Sequence, residues 1–436
     1  MSENPFRSVT DIFEGKYDGQ HVVLRGWLHH IRSSGGILFL QLRDGTGVIQ
    51  CTLKKDKVDQ ASFEKLSAMT IESTIEVSGD VRKDTRAPGG YEIQAQKVEV
   101  LFPAEDGYPI AKKYHGPDFL LDYRHLWIRN EKMQATIRIR SRLLQEARTW
   151  LMGHDYLEVQ VPILVNAAVE GGSTLFPVKY FDQNAYLSQS WQLYAEAMIA
   201  SVGKIFTVAP SFRAEKSRTR RHLTEYWHLE VEAPWLDLDG LMQLEEQLLT
   251  HMCVETAQHM PEQLKLLGRN IDKISNLKPP FPRITYSQAV EKIKQQMPAF
   301  EWGQDLGYEE EKVLTDEFDS PFFVTHYPKG VKAFYHMPDP KDPRVTLSVD
   351  LLAPEGYGEI TGGGQRIHLI DQLLARIQEE HLNPDDYKWY TELRRFGTVP
   401  HSGFGMGVER VVAWVCGLEH IRDATPFPRL LNRIYP

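Results

Sequence analysis

Cysteine is scarce: Cys51, Cys253 and Cys416 stand isolated among 436 residues, with no CxxC pair. That excludes a disulfide framework and a cysteine-built zinc site, and it fits a reducing cytoplasmic setting. No apolar run approaches about 18 residues, so no transmembrane helix and no membrane partner is expected. The opening MSENPFRSVTD has no apolar h-region, so no secretory signal is expected. Internal repeats and low-complexity tracts are also missing. Nor is there an excess of positive charge. The 50 Lys and Arg stand against 59 Asp and Glu, a net charge of −9, so nucleic-acid contact has to come from local basic patches. What remains is a globular composition, 42% apolar and 25% charged, with length for two or three domains.

Residues 1–103 read as a small β domain. Strands are expected at Val22–His30, Ile37–Arg43, Val48–Leu53, Thr74–Val81 and Tyr91–Phe102, with a helix at Gln60–Met69 and a hairpin turn at Asp44–Gly47. Five strands with a helix after the third is the order of an OB-fold barrel, a common binder of single-stranded nucleic acid. On that reading Arg25, Phe39 and Gln50 form the binding face, with Phe39 as a stacking platform. The plainer alternative makes Phe39 core and Arg25 a solvated charge.

Residues 104–130 read as a linker rich in Gly, Pro and charge, and 131–436 as a large α/β domain. Helices are expected at Met133–Met152, Gln192–Ala200, Leu238–His259, Ser287–Gln296 and Ile367–His381. Strands are expected at Tyr156–Pro162, Tyr186–Ser190, Phe322–Tyr327, Ala333–Met337, Arg344–Leu352 and Gly356–Ile360. The stretch from about 260 to 322 is the least informative and reads as an insertion.

The most telling stretch is Lys204–Pro234, KIFTVAPSFRAEKSRTRRHLTEYWHLEVEAP. Phe206, Val208 and Phe212 alternate with Thr207, Ser211, Arg213 and Glu215. After a basic middle, Trp227, Leu229 and Val231 alternate with Tyr226, His228, Glu230 and Glu232. Two runs of period two argue antiparallel strands joined by a cationic loop. Cations for phosphates, a carboxylate for a base amine and an aromatic for stacking suit a nucleotide. A charged hairpin tip on a solvated face is the alternative. Near the C-terminus HSGFGMGVERVVAWVCG sets Gly403, Gly405 and Gly407 before an apolar helix stopped at Gly417. Its spacing matches neither a dinucleotide-binding nor a Walker loop.

Taken in order, the helix leading to Pro162, then FRAE…RHLTEYWHLEVE, then GFGMGVER resemble motifs 1, 2 and 3 of class II aminoacyl-tRNA synthetases. The preceding barrel points to the aspartate, asparagine and lysine subgroup, and VPHSGFGMGVER…IRDATPFPR resembles the asparaginyl members. The resemblance implies an α/β catalytic domain, an antiparallel sheet flanked by helices, behind an OB-fold anticodon-binding domain. It implies ATP and L-asparagine as substrates, Mg²⁺ as cofactor, asparagine tRNA as partner, and a homodimer with motif 1 at the interface.

The resemblance also assigns roles. Arg213 holds the ATP α-phosphate and the amino-acid carboxylate, and Glu215 lies near the adenine amine. Arg221 and His222 approach the β- and γ-phosphates. Tyr226 stacks on adenine, and Arg410 lies on its other side. Asp350 and Glu359 hold Mg²⁺. Glu170 binds the α-ammonium group, Gln192 lines the amino-acid pocket and Arg366 reads the side-chain carbonyl. Arg213, Arg410 and Glu359 carry catalysis. Aspartyl relatives carry a lysine where this chain has Ala195 in QLYA, so the resemblance favours asparagine, with Glu225 as acceptor for its amide. An aspartyl enzyme and a fold-related asparagine synthetase are the alternatives. Members of the family commonly read GGSQR where this chain has Gly363-Gly364-Gln365-Arg366, and Gly362 stands where aspartyl relatives have a metal-side serine.

Overall fold

In the computed structural model, residues 6–110, 113–169, 174–216 and 219–436 are described. The chain divides into two compact units, Met1–Tyr114 and His115–Pro436.

The first unit is a closed five-stranded barrel. After α1 (Val9–Phe13) come β1 (His21–Ser34), β2 (Ile37–Arg43), β3 (Val48–Lys54), α2 (Gln60–Ser67), β4 (Thr74–Lys83) and β5 (Tyr91–Phe102), in the order β1-β2-β3-β5-β4. The alternation of β2 drives it: Leu38, Leu40 and Leu42 point into an apolar core with Ile49, Cys51 and Leu53 of β3. The tight turn before β3 is built by Asp44. Its carboxylate accepts from the amides of Thr46 and Gly47 at 2.6 and 2.8 Å, and from Val9 N–H at 2.9 Å.

The second unit begins earlier than the linker reading allowed. Two short helices, α3 (Pro117–Asp122) and α4 (Arg124–Trp127), occupy the stretch. Buried Arg124 ties them down by donating to the carbonyls of Arg422, Thr425 and Pro426. Then follow α5 (Glu131–Gly153), β6 (Leu157–Glu158), β7 (Leu164–Val165), β8 (Pro177–Tyr180), β9 (Gln183–Leu187), α6 (Gln192–Val202), β10 (Ile205–Phe212), β11 (Glu225–Pro234) and α7 (Leu238–His259). Next come α8 (Pro261–Leu266), α9 (Asp272–Ser275), β12 (Arg283–Thr285), α10 (Tyr286–Gln296), α11 (Tyr308–Thr315), β13 (Phe322–Thr325) and β14 (Ser348–Ala353). The chain closes with β15 (Gly358–Gln365), α12 (Ile370–Glu379), α13 (Lys388–Glu392), β16 (His401–Gly407) and α14 (Val408–Cys416). Gly417 ends α14 in the left-handed conformation at φ 68°, as its sequence predicts.

Eight strands form the main sheet, in the order β12-β13-β14-β15-β16-β11-β10-β6. Its pairs are antiparallel except at the two edges, where β12 and β6 run parallel to their neighbours. One face carries the registered row Leu351, Thr361, Met406, Leu229 and Val208. It packs with α5, α7 and α14 in the largest apolar core.

Three expectations fail on physical grounds. The strand expected through Pro162 is only the two residues of β6, because β6 is itself the edge strand and has β10 as its one partner. Ala333–Met337 is no strand; a single bridge, His336 to Arg366, is all that forms. The 260–322 stretch is not set apart from the sheet. It supplies β12 and a second core, in which Tyr286, Val290, Ile293 and Leu314 pack against Phe322 and Val324 of β13.

Candidate active site

The other face of the main sheet is a cleft, and glycine makes its floor. A registered row crosses five strands: Asp350, Gly362, Gly405, Glu230 and Thr207. The next row is Ser348, Gly364, Gly403, Glu232 and Ile205. Polar side chains from the flanking strands therefore lean over bare backbone in the middle. A Cβ at Gly362 would lie 3.2 Å from Glu359 Oε1 and 3.3 Å from Asp350 Oδ1. One at Gly403 would overlap the Glu232 carboxylate at 1.9 Å. The glycine-rich runs of β15 and β16 thus serve close approach rather than turning.

One end of the cleft gathers the residues expected to meet a nucleotide. Arg213, Glu215, Arg221, His222, Tyr226, Glu359 and Arg410 line a single cavity of about 60 Å³. The Arg213 guanidinium stands 5.8 Å from the Tyr226 ring centroid. Between this cavity and its larger neighbour sits His228, which lines both. Burial, then the charges of Arg213 and Arg410, pushes the His228 pKa down to about 3, so the imidazole is neutral. Burial and then Arg410 also lower the pKa of His222.

Where the two cavities meet, charges are paired across distant segments. Arg410 Nη1 lies 2.9 Å from Glu359 Oε2 and donates to the Glu359 carbonyl at 2.9 Å. Arg221 donates to the Glu311 carboxylate and, at 2.9 Å, to the Tyr357 carbonyl. Glu311 Oε2 also accepts from the Glu359 amide at 2.7 Å. The buried Lys332 ammonium donates to both oxygens of Asp350 at 2.7 Å and lies 4.0 Å from the Tyr327 ring centroid. Burial pushes the Asp350 carboxyl up to about 7, with Lys332 opposing. Against burial, Arg410 and then Lys332 hold the Glu359 carboxyl down at about 2.

Asp350 and Glu359 flank the gap above Gly362 and offer hard oxygen donors, which fits Mg²⁺. Among the described residues no cluster of three or more His, Cys, Asp or Glu is spaced to hold a metal. A metal here would complete its shell with phosphate oxygens and water.

The other end is a cavity of about 530 Å³ that Arg213 also lines, together with Gln192, Glu230, His336 and Arg366. Arg366 is buried. It donates from Nε and Nη2 to Glu232 at 3.2 and 3.3 Å and from Nη1 to His336 Nε2 at 3.2 Å. Burial, reinforced by Arg366, lowers the His336 pKa, consistent with a ring that accepts. Glu230 accepts from Ser190 Oγ and, at 3.2 Å, from Trp191 N–H.

One sequence expectation is corrected here. Glu225 is exposed at the start of β11, opposite Phe212, and lines neither cavity; the buried carboxylate in the pocket is Glu230. Ala195, where aspartyl relatives carry a lysine, is buried and is not itself among the pocket's lining residues. It packs with Val159, Trp191, Ile199 and Ile205 in a small apolar cluster. Glu170 lies outside the described residues. Glu311, Lys332, His336 and His228 escaped the sequence reading as site residues. Only His228 had a signal, its place on the polar face of β11.

In the barrel, Phe39 is half-buried on the outer face beneath the Arg32 guanidinium, 4.3 Å from its centroid. Arg25 is exposed, bonds Glu76 at 2.8 Å and lies 3.9 Å from the Phe6 ring centroid. Gln50 donates to Glu92 at 3.1 Å.

Comparison with known proteins agrees with this geometry. The family described as tRNA synthetases class II (D, K and N) matches residues 116–431, and that of the OB-fold nucleic acid binding domain matches residues 22–101. An asparagine–tRNA ligase of Pyrococcus abyssi is 50% identical over 421 residues, 96% of this chain and 97% of its own. A crystal structure of asparaginyl-tRNA synthetase from Pyrococcus horikoshii complexed with asparaginyl-adenylate superposes with a TM-score of 0.94 at 50% identity, covering 97% of each chain. One from Entamoeba histolytica, also with asparaginyl-adenylate, gives 0.88 at 35% identity over 96% of this chain and 97% of its own. A barrel of the nucleic-acid-binding type and a glycine-floored cleft with arginines at both ends are thus explained together: the chain belongs to the class II tRNA synthetases of the aspartate, lysine and asparagine group, among the asparagine–tRNA ligases.

Proposed function

We infer that this protein is an asparagine–tRNA ligase. It activates L-asparagine with ATP to asparaginyl-adenylate, releases pyrophosphate, and transfers the asparaginyl group to the 3′ end of asparagine tRNA. The observation that carries this reading is Arg213 lining both cavities, at the point where an amino-acid carboxylate and an α-phosphate have to meet.

The chemistry follows from the residue types. The asparagine carboxylate attacks the α-phosphorus and pyrophosphate leaves in line. A carboxylate is already ionised at neutral pH, so no general base is required. Catalysis is then alignment and charge neutralisation, by Arg213 at the reacting centre and Arg410 on the nucleotide. Glu215 and Tyr226 hold the adenine, and Arg221 and His222 receive the terminal phosphates. Asp350 and Glu359 would hold Mg²⁺, which when bound supplies positive charge to the phosphates. Arg366 donates to the side-chain carbonyl of asparagine, and Glu230 replaces Glu225 as acceptor for its amide. An aspartate β-carboxylate would face Glu230 charge to charge, which disfavours it. Glu170 remains our proposed partner of the α-ammonium group.

The barrel face around Arg25, Phe39 and Gln50 is proposed to read the anticodon. Exposed apolar residues at the end of α5 and just after it, among them Met152, Leu157, Ile163 and Leu164, support a homodimer buried there. No helix among the described residues is long and apolar enough to cross a membrane, and we place the enzyme in the cytoplasm on its reduced, isolated cysteines.

The deciding experiment is ATP–pyrophosphate exchange with asparagine against aspartate. Exchange with asparagine is expected; a preference for aspartate overturns the substrate. Phe39→Ala should weaken tRNA binding by about 1–3 kcal/mol through lost stacking and leave exchange intact. Unchanged tRNA affinity removes Phe39 from the interface.

A further inference from the structure

Beneath the asparagine pocket runs a chain of buried polar groups that the chemistry above does not use. Gln192, at the start of α6, is the one member that reaches the pocket from this helix. Its amide nitrogen donates to Glu196 Oε1 at 3.0 Å and to Glu232 Oε2 at 3.0 Å. A primary amide has two N–H donors and one carbonyl acceptor, so both donors are consumed below the pocket.

Glu196 has no surface in the pocket, yet it is the most densely bonded carboxylate in this region. Oε1 also accepts from the Tyr390 hydroxyl at 2.7 Å. Oε2 accepts from Arg394 and lies 2.9 Å from His401 Nε2. Against burial, Arg394 and then His401 keep its carboxyl well below the usual range. Arg394 Nε donates to the Ile367 carbonyl at 2.9 Å, so the same guanidinium grips the backbone next to Arg366.

We propose that Glu196 is a specificity-positioning residue: with Glu232 it clamps the Gln192 amide so that its carbonyl oxygen, and never its NH₂, faces the bound amino acid. The pocket then presents an acceptor to an N–H of asparagine. A flipped amide would turn its carbonyl onto two carboxylates, which is repulsive in a buried site. Arg394 completes the device, since it fixes Glu196 and the chain of Arg366 at once.

The inference rests on the asparagine pocket assigned above, and Glu196→Gln tests it separately. In that isosteric variant Arg394 claims the one remaining carbonyl, which turns the new NH₂ toward Gln192 and removes the clamp. In pyrophosphate exchange the KM for asparagine should rise about tenfold, the worth of one hydrogen bond to a charged group, while the KM for ATP stays within about twofold. Tyr390→Phe keeps the charge and the acceptor for Gln192, so both constants should stay near parental values. If Glu196→Gln does not fold by circular dichroism, Glu196→Asp keeps the charge for Arg394 but withdraws it from Gln192, and carries the same expectation. An unchanged asparagine KM in a folded variant overturns the proposal, as does a parallel rise for ATP or a tenfold effect of Tyr390→Phe. A parent enzyme without asparagine-dependent exchange would instead overturn the pocket assignment.

Discussion

The two ends of the cleft hold charge in opposite ways. Around the phosphate end three cations rest on carboxylates: Arg221 on Glu311, Arg410 on Glu359, Lys332 on Asp350. At the amino-acid end Arg366, Glu232, Gln192, Glu196 and Arg394 form one buried chain whose bonds persist beneath the substrate. On the proposed function the first arrangement would be exchangeable, an arriving triphosphate taking over the cations from their carboxylates. The second is fixed, because removing one partner strands another in a medium that cannot solvate it. On the proposed function, chemistry common to all amino acids would be done at the exchangeable end, and discrimination at the fixed one.

The contrast can be broken by substitution. Replacing Arg213, which serves both ends, has the largest expected effect. Arg213→Ala should cut the exchange rate by about 10³-fold, comparable to losing a preorganised transition-state donor, with tRNA binding retained; a loss below tenfold would move the reacting centre elsewhere. At the fixed end, Arg366→Met should cost about 3–5 kcal/mol of folding stability, as for a broken buried ion pair, read by denaturant unfolding. A near-neutral result would mean that this end is exchangeable too.

His228 sits at the boundary, and its test is pH. The fold holds its pKa near 3, below the value of about 6.5 in an unfolded chain. Below pH 6.5 the unfolded state therefore binds a proton that the native state refuses. Stability is full above 6.5 and falls toward pH 3 at up to about 1.4 kcal/mol per unit from this group. Unfolding curves of His228→Asn at pH 6 and pH 5 should show a shallower loss than the parent; identical slopes would mean the imidazole is solvated. Smallest is Glu311→Gln. If Glu311 only keeps a place for the γ-phosphate, the KM for ATP should fall severalfold, by less than about 1 kcal/mol of interaction. A rise would make Glu311 a strut for Arg221 and the exchange picture wrong at that pair.

The sequence disclosed these two ends unequally, for a physical reason. Strand alternation is short-range and strict, so the order of residues alone puts Tyr226, His228, Glu230 and Glu232 on one face. The same alternation argues against Glu225, which has the opposite parity and is exposed. Helical spacing likewise separates Trp191, Ala195 and Ile199, an apolar stripe, from Gln192 and Glu196, one turn apart on the polar side. Glu311 and Lys332 had no comparable signal. One lies on a short helix in the least patterned stretch and the other in a loop, and only the tertiary fold brings them to Arg221 and Asp350.

One residue next to Arg410 has a consequence for how the gene can change. Glu409 is buried, accepts from the Trp227 amide at 2.9 Å and pairs with Arg140 of α5 at 2.8 Å. Adjacent residues on α14 thus take different partners, Glu409 the scaffold through Arg140 and Trp227, and Arg410 the Glu359 carboxylate across the cleft. Each residue turns a helix by about 100°, so a single-codon insertion between β16 and this pair would carry Glu409 into the direction of Arg410, and a deletion would carry Arg410 into that of Glu409. The first would place a carboxylate at the proposed phosphate site; the second would leave Arg140 facing a guanidinium. Point changes can be absorbed around this junction, but changes in length cannot.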